Sequence, residues 1–277
     1  SNEIIVDDIF KYWAIYQKKK KSKIVLFEHG LNYNIVNKYY PQNPRLEESY
    51  VDKIFTWGNV LKDKKYKPLF SIPKHKFSVK NKSKLILIYN QCAPNYSHLP
   101  NEYYFNRFNF KIFYKNLSNK IKKKILIRLH RTNFLPLNNS KIKEKLKYES
   151  KNKNLDIENG SINLNKLISK SNLLVFSYPS TGFFEAILSD IPCILFWKDF
   201  SFEIHKLSKA SFKKLEKIGI LFSDEIKLSQ SINKIYYNTD EWWYDKHRRK
   251  QLINFKRKYL IKNSNLNKVY LELTKFL

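Results

Sequence analysis

The chain has 277 residues, 43% of them hydrophobic, enough for one large domain or two small ones. Its net charge is +29, yet 46 of the 53 basic residues are Lys, seven are Arg, and 29 Asn accompany them. Arg is the residue favoured for base-edge and phosphate-fork recognition. The Lys–Asn excess therefore reads as compositional bias and no specific nucleic-acid partner is expected, a basic nucleic-acid-binding protein being the alternative reading of the charge; a disordered chain, a disulfide scaffold and a coiled-coil rod are excluded.

In chain order, residues 8–20 read as a helix with Ile9, Trp13 and Tyr16 on one face. Residues 23–27 and 52–57 read as strands, each closing on a glycine turn at Glu28-His29-Gly30 and Trp57-Gly58. Residues 84–89 form a strand, 90–101 a Pro/Asn loop, 102–119 a helix and 124–129 the next strand. The polar stretch 130–138 is its loop, and 139–160 a Lys/Asn-rich surface segment. A short helix over 161–170, a strand over 172–177, a helix over 181–189 and a strand over 192–197 follow. From 201 onward the pattern is helical, with a brief strand at 219–222.

Apolar strands without polar alternation, separated by helices, predict a parallel sheet covered on both faces. The expected class is α/β, a Rossmann-like doubly wound domain over 61–240. Residues 1–60 read as the end of a preceding domain or an interdomain segment, and 241–277 as a helical tail. Cys92 and Cys193 lack any CxxC or Cys/His spacing, which predicts free thiols, a cytoplasmic setting and no zinc. The longest apolar run, Ile191–Trp197, is the length of a buried strand and far below the ~18 residues of a membrane span.

Ligands of doubly wound sheets sit beyond the carboxyl ends of the strands, and three such ends carry polar groups. In Ser177-Tyr178-Pro179-Ser180-Thr181-Gly182 a strand turns directly into a helix. Helix-start N–H groups favour an anion, the hydroxyls of Ser180 and Thr181 add donors, and Gly182 permits close approach. Glu185, one turn on, suits the hydroxyls of a ribose. At the second end, alternation puts Arg128 and His130 on one face, two cations suited to phosphate. At the third, His29 beside Gly30 suits a general base. Simple helix capping by Ser180, scattered surface charge and a structural His are the plainer readings of the three.

Together these segments resemble known families. A strand, Ser180-Thr181, Glu185-Ala186 after one turn, and a buried Ile191-Pro192-Cys193-Ile194 strand resemble the donor-binding, C-terminal half of GT-B glycosyltransferases. Arg128-Leu129-His130 is similar to the R-x-H-P strand end of CDP-glycerol glycerophosphotransferases and CMP-sugar transferases, with Arg131 in place of the Pro. With Glu28-His29-Gly30-Leu31-Asn32-Tyr33, Phe55-Thr56-Trp57-Gly58 and Asp240-Glu241-Trp242-Trp243, the order over about 8–262 resembles a transferase family of bacterial surface-carbohydrate biosynthesis.

That resemblance implies a nucleotide-sugar donor, CMP-linked, held by Arg128, His130, Ser180, Thr181, Gly182 and Glu185. It implies a glycan or lipid-linked acceptor deprotonated by His29, with no resident metal or cofactor. A first Rossmann-like domain would precede residue 8, making this the C-terminal portion of a longer protein or a shortened relative. A CDP-glycerol or ribitol-type phosphotransferase would share the site. Trp242, Trp243 and Tyr244 read as anchors of the tail, and the run Lys246–Lys250 as a solvated helix face or a peripheral contact with anionic lipid at the inner face of the membrane.

Overall fold

The computed structural model describes residues 8–28, 35, 51–59, 63–69, 83–89, 108–129, 136–198, 200–260 and 266–276. The chain opens with α1 (Asp8–Lys19), β1 (Val25–Phe27), β2 (Lys53–Thr56) and β3 (Tyr66–Pro68). Then come β4 (Lys84–Tyr89), α2 (Phe110–Asn116), α3 (Asn119–Lys122), β5 (Ile125–Leu129), α4 (Pro136–Ser150) and β6 (Asp156–Glu158). After them run α5 (Leu164–Ile168), β7 (Ser171–Phe176), α6 (Thr181–Leu188), β8 (Cys193–Phe196), α7 (Phe200–Glu203) and α8 (Lys206–Lys217). The rest is β9 (Leu221–Phe222), α9 (Glu225–Ile235), a 3-10 turn (Tyr236–Asn238), α10 (Thr239–Tyr244), α11 (Lys246–Tyr259) and α12 (Leu266–Thr274).

Two compact units result, each drawn from separate stretches: residues 1–74, 201–212 and 251–277 in one, 75–200 and 213–250 in the other. The second unit is built on a six-stranded, wholly parallel sheet of order β6-β5-β4-β7-β8-β9. Side chains alternate across it with the period of two that a strand imposes. Leu85, Leu87, Tyr89, Ile125, Ile127, Leu129, Leu173 and Val175 pack into one core with Phe110, Phe113, Leu146, Leu228 and Ile232 of α2, α4 and α9. The opposite face carries Ile86, Ile88, Leu126, Arg128, Leu174 and Phe176, and there the Phe176 ring meets Phe183 of α6 edge-on at 5.9 Å. Helices therefore cover both faces, as the unbroken apolar strands predict. The chain winds outward from β4 to β6, then returns to the other side of β4 with β7. That reversal makes β4/β7 the topological switch point, the ligand crevice of such sheets.

One sequence expectation needs correction here. The stretch 139–160 is more than a surface segment, because it holds most of α4 and the edge strand β6. Ile142 and Leu146 anchor that Lys-rich helix on the core.

The first unit holds a three-stranded parallel sheet, β1-β2-β3, with Ala14, Val51 and Ile54 at its centre and Phe10, Ile24, Leu26 and Tyr66 around them. The face of α1 singled out from sequence is the outer one: Ile9, Trp13 and Tyr16 are 81%, 54% and 54% exposed. Glu28, at the end of β1, is buried, and its carboxylate accepts from the Trp57 N–H at 3.0 Å. Gly58 sits where the backbone of Tyr259 approaches so closely that a Cβ would lie 2.5 Å from its carbonyl oxygen, which only glycine tolerates. In the six-stranded unit Trp243 is fully buried and Trp242 partly so, as anchors should be, whereas Tyr244 is 56% exposed and is no such anchor. The run 246–250 is only partly a solvated face, since Arg248 Nε donates to the Ile218 carbonyl at 2.9 Å and Arg249 pairs with Asp190 at 2.7 Å.

Candidate functional site

At the switch point, β7 ends at Phe176, and the Ser177 N–H still donates to the Ile88 carbonyl of β4 at 3.0 Å. Four residues later α6 begins. Ser180 has the extended backbone of an N-cap (φ −122°, ψ 160°), but its side chain makes no capping bond. Its Oγ is buried without a hydrogen-bond partner. A capping serine normally satisfies one of the first N–H groups of its helix. Here the Ser180 side chain caps none of them, the Phe183 N–H donates instead to the Ser180 carbonyl at 3.1 Å, and the hydroxyl is left over.

Gly182 explains why the helix starts so close to the sheet. A Cβ there would meet the Phe176 ring at 3.2 Å, Ser180 Oγ at 3.7 Å and Leu164 Cδ2 at 3.9 Å. Thr181 and Glu185 are half-buried on the same helix, Glu185 one turn beyond Thr181.

Arg128 stands in the same cross-strand row as Ile88 and Phe176, on the face that α6 covers. Two strand spacings, about 10 Å, separate its backbone from that of Phe176. The side chain is 15% exposed. One terminal nitrogen donates to the Ile162 carbonyl at 3.3 Å. Its Nε lies 3.5 Å from Glu158 Oε2 as an ion pair, lacks hydrogen-bond geometry, and is buried without a partner.

Glu158 is the residue that sequence reasoning passed over. It sits directly across from Arg128 in the β5–β6 register and is 8% exposed. Its carboxylate accepts from the Gly160 N–H at 2.9 Å, the Ser161 hydroxyl at 2.9 Å and the Ile162 N–H at 2.8 Å. Burial works to raise its pKa, but the donors from Ile162, Ser161 and Gly160 outweigh it and hold the carboxyl below the usual range. The signal in the sequence was a Glu two residues before a glycine, in a stretch that looked like plain surface.

The structure thus brings Ser180, Thr181, Gly182 and Glu185 onto one helix start, with Arg128 on the same face of the sheet. His29 and His130 lie outside the described residues. Among the described residues no three His, Cys, Asp or Glu side chains gather as a metal site. A fixed guanidinium, an uncapped helix N-terminus and a spare buried hydroxyl are together suited to an anion.

Comparison with known proteins agrees with that architecture. The family model for the LIC12162 family transferase matches residues 1–273. This chain belongs to that transferase family. No curated protein matches it. Among solved structures, the LIC12162-family chain is similar to the crystal structure of TarM at 14% identity, TM-score 0.53, over 93% of this chain and 51% of that one. It is similar also to a TarM variant from S. aureus in complex with Fondaparinux, alpha-GlcNAc-glycerol and UDP, at 15% identity, TM-score 0.52, over 92% and 51%. The wall teichoic acid polymerase TagF aligns at 13% identity, TM-score 0.47, over 92% and 67%. The chain spans 58% of another TagF structure and about half of TarM. At these identities the likeness concerns the fold, and it bears out the α/β, GT-B-like architecture with a helical C-terminal region.

Proposed function

We propose that this chain carries the donor-binding half of a glycosyltransferase, which takes a nucleotide-activated sugar, CMP-linked, and passes it to a surface polysaccharide or lipid-linked acceptor. One observation carries the reading: the helix after the switch-point strand begins without a side-chain cap, and on the same face of the sheet lie a buried Ser180 hydroxyl without a hydrogen-bond partner and a half-buried Arg128 held as a cation by Glu158. A donor phosphate would accept from the Ser180 and Thr181 hydroxyls, from the N–H groups of the first turn and from Arg128, with Gly182 letting it approach the backbone. Glu185 would accept from the ribose hydroxyls, as far from the phosphate as one helical turn allows. Negative charge that builds on the leaving nucleotide would meet fixed donors and the positive end of the α6 dipole.

Two roles rest on the resemblance in sequence, His130 as a further phosphate contact and His29 as the base that takes the acceptor proton. A nucleotide in the complex of the TarM variant supports the donor class. A place at the inner face of the membrane, where lipid-linked acceptors reside, completes the proposal. The contact proposed is peripheral; no described helix is long and apolar enough to cross a membrane.

Titrating CMP, CDP and UDP into the protein by calorimetry tests the reading. Binding of CMP ahead of UDP is expected. Preference for CDP, with glycerol phosphate transferred from CDP-glycerol, would make it a phosphotransferase, and silence with all three nucleotides at millimolar concentration would end the proposal.

A further inference from the structure

Glu158 makes demands that only a carboxylate can meet. Oε1 accepts from both the Ser161 hydroxyl and the Ile162 N–H, while Oε2 accepts from the Gly160 N–H and faces Arg128 Nε. All four neighbours present hydrogens. A carboxamide would turn its own NH2 toward one pair of them, and a donor facing donors is repelled. The turn it holds is tight: Gly160 adopts φ 82°, the left-handed region.

The same loop touches the site on both sides. The Ile162 carbonyl receives Arg128. Asn163 caps α5 by accepting from the Asn165 N–H at 2.9 Å. The next residue, Leu164, lies against the position of Gly182 at the start of α6. A three-residue edge strand has little of its own to fix it, so the carboxylate and the Arg128 pairing supply the anchor.

We propose that Glu158 is a positioning residue of this site: it sets the Arg128 guanidinium and the 159–163 loop relative to the first turn of α6, and the phosphate-dependent part of nucleotide affinity runs through it. The proposal rests on the donor-site reading above. It also predicts a sign. A bystander carboxylate near a phosphate site repels the ligand, so its neutralisation would strengthen phosphate binding; a positioning carboxylate gives the opposite result.

Calorimetry with cytidine and CMP as paired probes separates the possibilities, the ratio of the two affinities being the phosphate increment. In the wild type CMP should bind more tightly than cytidine, and Arg128→Ala should erase most of that ratio. Glu158→Gln should lower the ratio by about tenfold, with cytidine affinity held within about twofold. In the Arg128→Ala background Glu158→Gln should lower it no further, the coupling expected of residues that act as a unit. Glu158→Asp keeps the charge but shortens its reach. It should fall between wild type and Glu158→Gln, and it carries the test if the amide variant does not fold. A ratio that rises in Glu158→Gln, equal losses for cytidine and CMP, or additive losses in the double variant would overturn the positioning role and leave the donor site standing. Absence of a phosphate increment in the wild type, or an increment indifferent to Arg128→Ala, would overturn both.

Discussion

The two ends of the six-stranded sheet treat buried polar groups in opposite ways. At the amino end, the Tyr236 hydroxyl donates to the Ser83 carbonyl at 2.6 Å, and Asn172 Nδ2 reaches Thr239 Oγ1 at 3.1 Å. Thr239 in turn donates to the carbonyls of Tyr236 and Ile235 at 2.8 and 3.2 Å. These bonds tie the turn before α10 to the first residues of β4 and β7, and they are complete. At the carboxyl end, Ser180 Oγ is buried without a hydrogen-bond partner, and Arg128 Nε has only a 3.5 Å ion pair with Glu158. A lone spare hydroxyl does not make a site, since Ser171 Oγ at the amino end is also without a partner. The carboxyl end differs because the spare donors share one face with an uncapped helix. Closed networks serve the fold, and on the proposed function the open groups at the carboxyl end serve a ligand.

Substitutions at the two ends should therefore separate stability from binding. The largest effect is expected at Gly182→Val. Its Cβ would press on the Phe176 ring, which is fully buried, so about 1–3 kcal/mol of overpacking should accompany loss of nucleotide binding. Denaturant midpoints read the first and calorimetry the second. Tyr236→Phe should act on stability alone, costing about 1–2 kcal/mol through the Ser83 carbonyl it abandons while CMP affinity stays at the wild-type value. Weaker nucleotide binding in that variant would break the comparison. Ser180→Ala should show the reverse pattern: no hydrogen bond is lost, so stability should stay within about 0.5 kcal/mol, while CMP affinity falls about tenfold.

The smallest effect is one of pH. The Glu158 carboxyl is lowered from its ordinary 4.5 in the folded protein. Its stabilising contribution is therefore fully present above 4.5 and is lost as pH falls through the folded value. The stability gap between wild type and Glu158→Gln, followed by urea unfolding, should close on acidification from neutrality. A gap of constant size would show that the charge itself contributes nothing.

How much of this was legible beforehand follows from which residues carried local information. The strands β4, β5, β7 and β8 are apolar runs that no other element explains, and their boundaries were readable to within a residue. The loop into α6 was readable too, because Pro, two hydroxyls and Gly between a strand and a helix have few other uses. Glu158 was not. Its strand is three residues long, two of them acidic, and extended only because β5 lies beside it. Likewise α4 hides Ile142 and Leu146 among lysines, and β3 ends on Pro68, which forbids a central strand and suits an edge. In each case what fixes the element is contact with another element, of which periodicity gives no warning.

The central claim is that an anionic ligand sits at the first turn of α6, and backbone amide shifts report on that turn directly. In an isotope-labelled sample titrated with CMP, the amides of Thr181, Gly182 and Phe183 and the Arg128 Nε–H should move together and saturate at one affinity. Shifts confined to other parts of the molecule, or none at millimolar CMP, would contradict the account.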